Sequence, residues 1–236
     1  MQIQNSYTPV NFEGAVKFKR ASLFSRVKLC SFEVPHEDLG QIQVSTKRTK
    51  KGKYLIEVGT QKISGITKES FCMGNNEIYG VNIKTNENYR GQRLGEITRL
   101  ASIITMLKNG LNEISLFSVN KAIQFHSKYK FEPNITEPHS AIIALKNIQS
   151  ARIKGFEDKA KQILAQHKNT GDKKALLEAT NELVTEFISK IRPTLETCGN
   201  RYKFWGLDMR LTRENVLKNK DFFNALFEKH DIDYRI

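Results

Sequence analysis

The sequence predicts a mixed α/β (α+β) fold: a mostly antiparallel central sheet flanked by helices, with a helical C-terminal extension. Three observations carry this. Residues 41–83 alternate apolar and polar side chains in short runs, as half-buried strands do. Residues 78–131 read as strand, glycine-bearing loop, helix, strand and helix. After Ile148 the apolar residues recur at helical spacing.

Residues 1–40 hold two β-like runs, Ala15–Phe18 and Val27–Val34, and Ser22-Leu23-Phe24 suits the start of a helical turn. Ile42 and Val44 alternate with polar residues, as do Tyr54, Ile56 and Val58. Between them, 47–53 is a hairpin tip rich in lysine and arginine, read as a solvated turn or as a hook for an acidic partner. It holds no aromatic residue on which a base would stack. Ile78, Val81 and Ile83 then mark a strand. Ile97, Leu100, Ala101, Ile104 and Leu107 share one helix face, and Asn109-Gly110 ends that helix. Ile114, Leu116 and Phe117 mark a buried strand. Asn120 caps a short helix on which Ala122, Phe125 and Tyr129 share a face. Ser140–Leu145 reads as a closing strand beside Phe131. Two helices follow in 151–191, the second closed by Pro193. Residues 194–212 read as a connector holding Trp205, Tyr202 and Phe204, and 213–230 as a last helix. The composition shift divides the chain into 1–148 and 149–236.

Composition bounds the function. The net charge is +13; the first 148 residues carry 21 Lys and Arg against 12 Asp and Glu, the rest 17 against 13. The excess attracts nucleic acid, an acidic protein or a polyphosphate. Cys30, Cys72 and Cys198 lie far apart, in neither zinc nor disulfide spacing, which suits reduced thiols in the cytoplasm. No apolar run is long enough to span a bilayer, and no leader pattern opens the sequence. His36, His139, His167 and His230 show no ligand spacing, so no metal is expected.

The loop 88–95, Asn-Tyr-Arg-Gly-Gln-Arg-Leu-Gly, is the chemical centre. A strand running into a glycine loop at a helix N-terminus offers free amides and the positive end of the dipole. Gly91 and Gly95 let a ligand approach the backbone; Arg90 and Arg93 add forked donors suited to phosphate. The local physics predicts a bound phosphate or pyrophosphate. It is not a Walker loop, since no Gly-Lys-Ser/Thr follows, nor a three-glycine dinucleotide fingerprint.

The loop resembles the GNAT superfamily of N-acetyltransferases, whose pyrophosphate loop has the form Arg/Gln-x-x-Gly-x-Gly/Ala. Arg90 and Gly95 match, and Arg93 stands where the family usually has Gly. The family's later motif, Ala-x-x-Phe-Tyr-x-Lys-x-Gly-Phe, is matched at Ala122, Phe125, Lys128 and Phe131, with His126 for Tyr and Lys130 for Gly. The resemblance covers about residues 40–146. It implies a GNAT-like fold, with a first strand and one or two helices within residues 1–40, and acetyl-CoA as co-substrate. The cofactor would be held by Arg90, Gly91, Gln92, Arg93, Leu94 and Gly95. Ile83, Lys84 and Thr85 would meet the pantetheine arm, and Asn120 and Phe125 would add contacts.

The implied reaction is direct attack of an amine on the thioester. A lysine-like amine is protonated at neutral pH, so a base must take a proton, and Glu77 and Tyr79 on the strand are the candidates. His126 stands where the family often has a Tyr that protonates the leaving thiolate; the other reading is a packed helix histidine. The acceptor is a protein amine, a small amine or an aminoacyl-tRNA. The competing reading is a nonenzymatic GNAT-like module holding nucleic acid or an acidic partner on its basic surface. The amphipathic C-terminal helices also suit a homodimer.

Overall fold

The computed structural model describes residues 15–23, 25–119, 122–198 and 206–236, and of residues 191–198 the backbone alone. Among these residues the fold is mixed α+β, with a nine-stranded, mostly antiparallel sheet and seven α-helices. The strands are β1 (Lys17–Arg20), β2 (Lys28–His36), β3 (Gly40–Arg48), β4 (Tyr54–Thr60), β5 (Thr67–Met73), β6 (Glu77–Thr85), β7 (Glu113–Val119), β8 (Glu132–Pro133) and β9 (Gly206–Thr212). The helices are α1 (Leu94–Lys108), α2 (Ile123–Lys128), α3 (Pro138–Ser150), α4 (Phe156–Thr170), α5 (Lys173–Cys198), α6 (Arg213–Lys218) and α7 (Lys220–Lys229). None of the described helices is long and apolar enough to cross a membrane.

The contacts group the chain differently from the division at 148 read from composition. One unit holds Met1–Asn76, Asn82–Leu111 and Leu217–Ile236; the other holds Glu77–Val81 and Asn112–Val216. Strand β6 gives its first half to the second unit and its second half to the first.

In the first unit β1 to β5 form an antiparallel meander. Phe32, Val34, Ile42, Val44, Ile56 and Val58 are buried on one face, where α1 packs on β2, β4 and β5. Each such side chain contributes roughly 1.5–3 kcal/mol by leaving water. The opposite face is polar: Glu33, Gln43 and Ser45 are exposed, and Glu57 pairs with Lys47 and Lys68. The apolar stripe read on α1 is real but understates its burial. Thr98, Arg99, Ser102 and Thr105 are buried too. Arg99 meets Glu69 of β5 at 3.2 Å, both wholly buried. Cys30 lies between the hydroxyls of Thr46 and Thr105, at 3.3 and 3.4 Å, and burial pushes its thiol pKa up. Cys30 and Cys72 are free thiols.

In the second unit β7 is central. It pairs in parallel with β6 over two rungs, Glu77↔Glu113 and Ile78↔Ile114, and antiparallel with β9, which in turn pairs with β8. Helices α3, α4 and α5 pack on one another through Ala144, Leu145, Phe156, Ala160, Leu183 and Phe187. The Phe156 and Phe187 rings meet edge to face at 5.3 Å. Asn181 on α5 closes a pair of hydrogen bonds with the Ile135 backbone.

Several readings are corrected. Ser140–Leu145 is helical: Pro138 opens α3, and Ala141, Ala144, Leu145 and Ile148 bury one face at three- and four-residue steps. The end of the proposed connector is strand β9, whose Leu207, Met209 and Leu211 alternate into the core. Trp205, Tyr202 and Phe204 lie outside the described residues. Helix α5 runs through Pro193, which costs it a backbone hydrogen bond. The last helix is two, divided at Asn219. Between β1 and β2 the described residues form a turn and no helix; seven residues join the strands of this hairpin.

Candidate functional site

The loop 88–95 is built on the first unit. Strand β6 carries Gly80 at φ +63, a conformation that L side chains rarely adopt. Beyond it no residue from Val81 to Thr85 is buried, so the strand end presents its backbone. Thr85 accepts a hydrogen bond from the Thr67 hydroxyl at 3.1 Å, and Ile83 and Lys84 precede it on the strand. Asn86 opens a single 3-10 turn, Glu87–Tyr89, its side chain accepting from the Asn88 amide. Arg90 is extended and 66% exposed, and its guanidinium meets Glu87 at 2.9 Å. Gly91 follows at φ +86.

Arg93 then caps α1 in the left-handed conformation, φ 56 and ψ 10. Its carbonyl accepts from the amides of Glu96 and Ile97 at 2.9 and 3.3 Å. The amides of Leu94 and Gly95 come before these and open the helix. Leu94 is buried and anchors the turn.

Residues far away in sequence hold this loop. His36 Nε2 donates to the Gln92 carbonyl at 2.9 Å, while its Nδ1 accepts from the Asp38 amide at 3.2 Å. The two bonds together orient the ring, Nε2 as donor and Nδ1 as acceptor. Glu96, buried in the first turn of α1, receives Lys229 Nζ and His230 Nε2, each at 2.7 Å. His36, Asp38, Gln92, Arg93, Lys229 and His230 line a pocket of about 790 Å³. No periodicity or motif in the sequence links His36, Lys229 or His230 to residues 90–95.

The candidate acid–base residues stand on the second unit. Glu77 is half-buried, and its carboxylate accepts from the Ser115 hydroxyl at 3.1 Å. Tyr79, two residues on, is 43% exposed. His126 is 7% exposed on α2, its ring 5.2 Å from Phe125 and 5.5 Å from Phe131. The imidazole is thus buried between two aromatic rings. Phe125 also meets Tyr129 edge-on at 5.0 Å, and Tyr129 is buried. Lys130, like Arg93, has left-handed backbone, φ 63. Asn120 lies outside the described residues.

Glu77, Tyr79 and Ser115 are thus brought to one sheet face, whereas Phe125 and His126 belong to an aromatic cluster. Among the described residues no three His, Cys, Asp or Glu side chains are grouped so as to hold a metal ion. No protein-family model matches this sequence, and no curated protein matches it.

Proposed function

We propose that this protein is an acetyl-CoA-dependent N-acetyltransferase, as its resemblance to the GNAT superfamily implies. One observation carries the reading. The two positions where the motifs call for glycine and this chain has another residue, Arg93 and Lys130, both have positive φ, 56 and 63. A side chain at such a φ costs about 1 kcal/mol, so the backbone is the one glycine would adopt. Both departures therefore keep the backbone path of the motif while changing its side chains. The free first-turn amides of α1, where the loop after β6 runs into that helix, add support.

On this reading the amides of Leu94 and Gly95, with Arg90 and Arg93, bind the diphosphate; Arg90 exchanges Glu87 for phosphate oxygens. The backbone of Ile83 to Thr85 takes the pantetheine arm. The neutral amine attacks the thioester carbonyl, the C–N bond forms and the C–S bond breaks. A base takes the amine proton, directly or through water; within the second unit Glu77, whose carboxylate accepts from Ser115, is the candidate read from the sequence. The thiolate gains its proton from water, since a free thiol is the stable form at neutral pH. His126 packs α2.

Acetyl-CoA should raise the melting temperature; a concentration of 100 times Kd adds about 2.7 kcal/mol. Arg90→Ala and Arg93→Ala should each reduce the shift, and an amine panel should release free thiol with the wild type. No shift at millimolar acetyl-CoA would remove the cofactor site. Salt-dependent RNA binding without thiol release would favour the nonenzymatic module.

A further inference from the structure

The sheet of the second unit has an open face whose chemistry is opposite to that of the chain as a whole. Along β7 the outward residues are Glu113, Ser115, Phe117 and Val119. The register sets Glu77 beside Glu113, Arg210 across from Ser115, Asp208 across from Phe117 and Gly206 across from Val119. Glu132 of β8 stands beside Arg210. Phe117 and Val119 are 59% and 57% exposed, and Tyr79 adds a third large group. A net charge of +13 describes the chain, yet this face sets four carboxylates against one arginine. Among the described residues none of Glu77, Glu113 and Asp208 has a basic partner. Partial desolvation raises the Asp208 carboxyl above the ordinary aspartate value, a penalty that an incoming cation would relieve.

Exposed aromatic and aliphatic groups flanked by carboxylates suit a partner that is cationic at its tips and apolar along its stems. Lysine is such a group: its methylenes lie on an aromatic ring while the ammonium reaches an acid. The face is too long for one amine. The seven residues of β7 extend about 20 Å, and Glu113 and Phe117, with Asp208 beside the latter, are about 13 Å apart. An extended chain with a lysine at every fourth position repeats at that spacing. A nucleic acid would meet carboxylates here, and a second copy docked on the same face would set acid against acid.

We propose that this face, centred on Phe117, Glu113 and Asp208, docks an extended lysine-bearing polypeptide segment. The proposal deepens the acetyltransferase reading, on which a lysine of the docked segment is the acceptor; the docking itself does not depend on it.

The test is fluorescence anisotropy on the full chain without acetyl-CoA, in about 0.15 M salt, where charges beyond roughly 8 Å are screened. The probe is a labelled peptide with a lysine at every fourth position. The double variant Glu113→Lys/Asp208→Lys should weaken binding about tenfold or more, and Phe117→Ser should weaken it too. Arg210→Glu should strengthen binding, a gain that misfolding does not produce. A peptide that fails to bind, a double variant that binds as the wild type does, or spermidine binding as tightly as the peptide would overturn the proposal. Peptide binding without acetyl transfer leaves the docking face standing and removes the enzyme. An acetyl-CoA melting shift without peptide binding does the reverse.

Discussion

Arg93 combines a conformation that favours glycine with a charge that favours phosphate. Its φ of 56 is reached because the turn leaves Gly91 at φ +86 and must enter α1 within two residues. Arg93→Gly should hold stability within about 1 kcal/mol of wild type, since relief of the left-handed strain offsets the freedom gained by the unfolded chain. It should nonetheless weaken acetyl-CoA binding. Denaturant melts and cofactor thermal shifts, run side by side, separate the two effects. Glu69 presents a different balance. Burial raises its carboxyl pKa, and the attraction of Arg99 only partly opposes this. A raised acid pKa means that the native state holds the proton longer than the unfolded chain. The native state then loses stability as pH climbs above the ordinary value of 4.5. Relative to Glu69→Gln, which cannot titrate, the wild type should be most favoured at low pH and lose ground as pH rises. Denaturant melts of both proteins across that range would show the slope, and a flat difference would refute the shift.

At the scale of elements, the legible parts were those with one strong period. The alternation of Ile42 and Val44, and of Tyr54, Ile56 and Val58, gave β3 and β4; the stripe from Ile97 to Ile104 gave α1. Ser140–Leu145 misled because two adjacent isoleucines suggest a strand. What decided it was the spacing of Ala141, Ala144, Leu145 and Ile148, together with Pro138 at the helix start. Strand β9 carries a period of two in Leu207, Met209 and Leu211, but the run is short. Its pairing with β7 spans about ninety residues, which no local pattern encodes. That pairing has a tight point. A Cβ at Gly206, whose φ is +150, would lie 2.6 Å from the Phe117 ring and from the Ser118 carbonyl. Gly206→Ala should therefore destabilise the second unit by about 1–3 kcal/mol, read from denaturant melts.

For the whole molecule, charge is the property most easily read and most easily misread. The sequence shows +13 and no acidic run, so an acidic partner looks favoured everywhere. Folding gathers Glu77, Glu113, Glu132 and Asp208, which come from four strands, onto one face and leaves the basic excess elsewhere. The candidate loop was legible because its residues are consecutive; its supports were not, because His36 and His230 reach it through the fold alone. Long-range attraction should still favour the cofactor's phosphates. Raising salt from about 0.05 to 0.5 M should weaken acetyl-CoA binding in titration, as screening shortens from more than 10 Å to a few ångströms. Binding indifferent to salt would deny the arginines their part.

Glu96 meets Lys229 and His230, which stand 133 and 134 positions further along the chain. During synthesis the loop thus emerges long before its brace exists. A nascent chain halted ahead of Lys229 would carry the Glu96 carboxylate beneath the loop without these two partners. The pocket lined by Arg93, Lys229 and His230 is accordingly a late acquisition of the growing chain, assembled only after the ribosome has delivered the last helix.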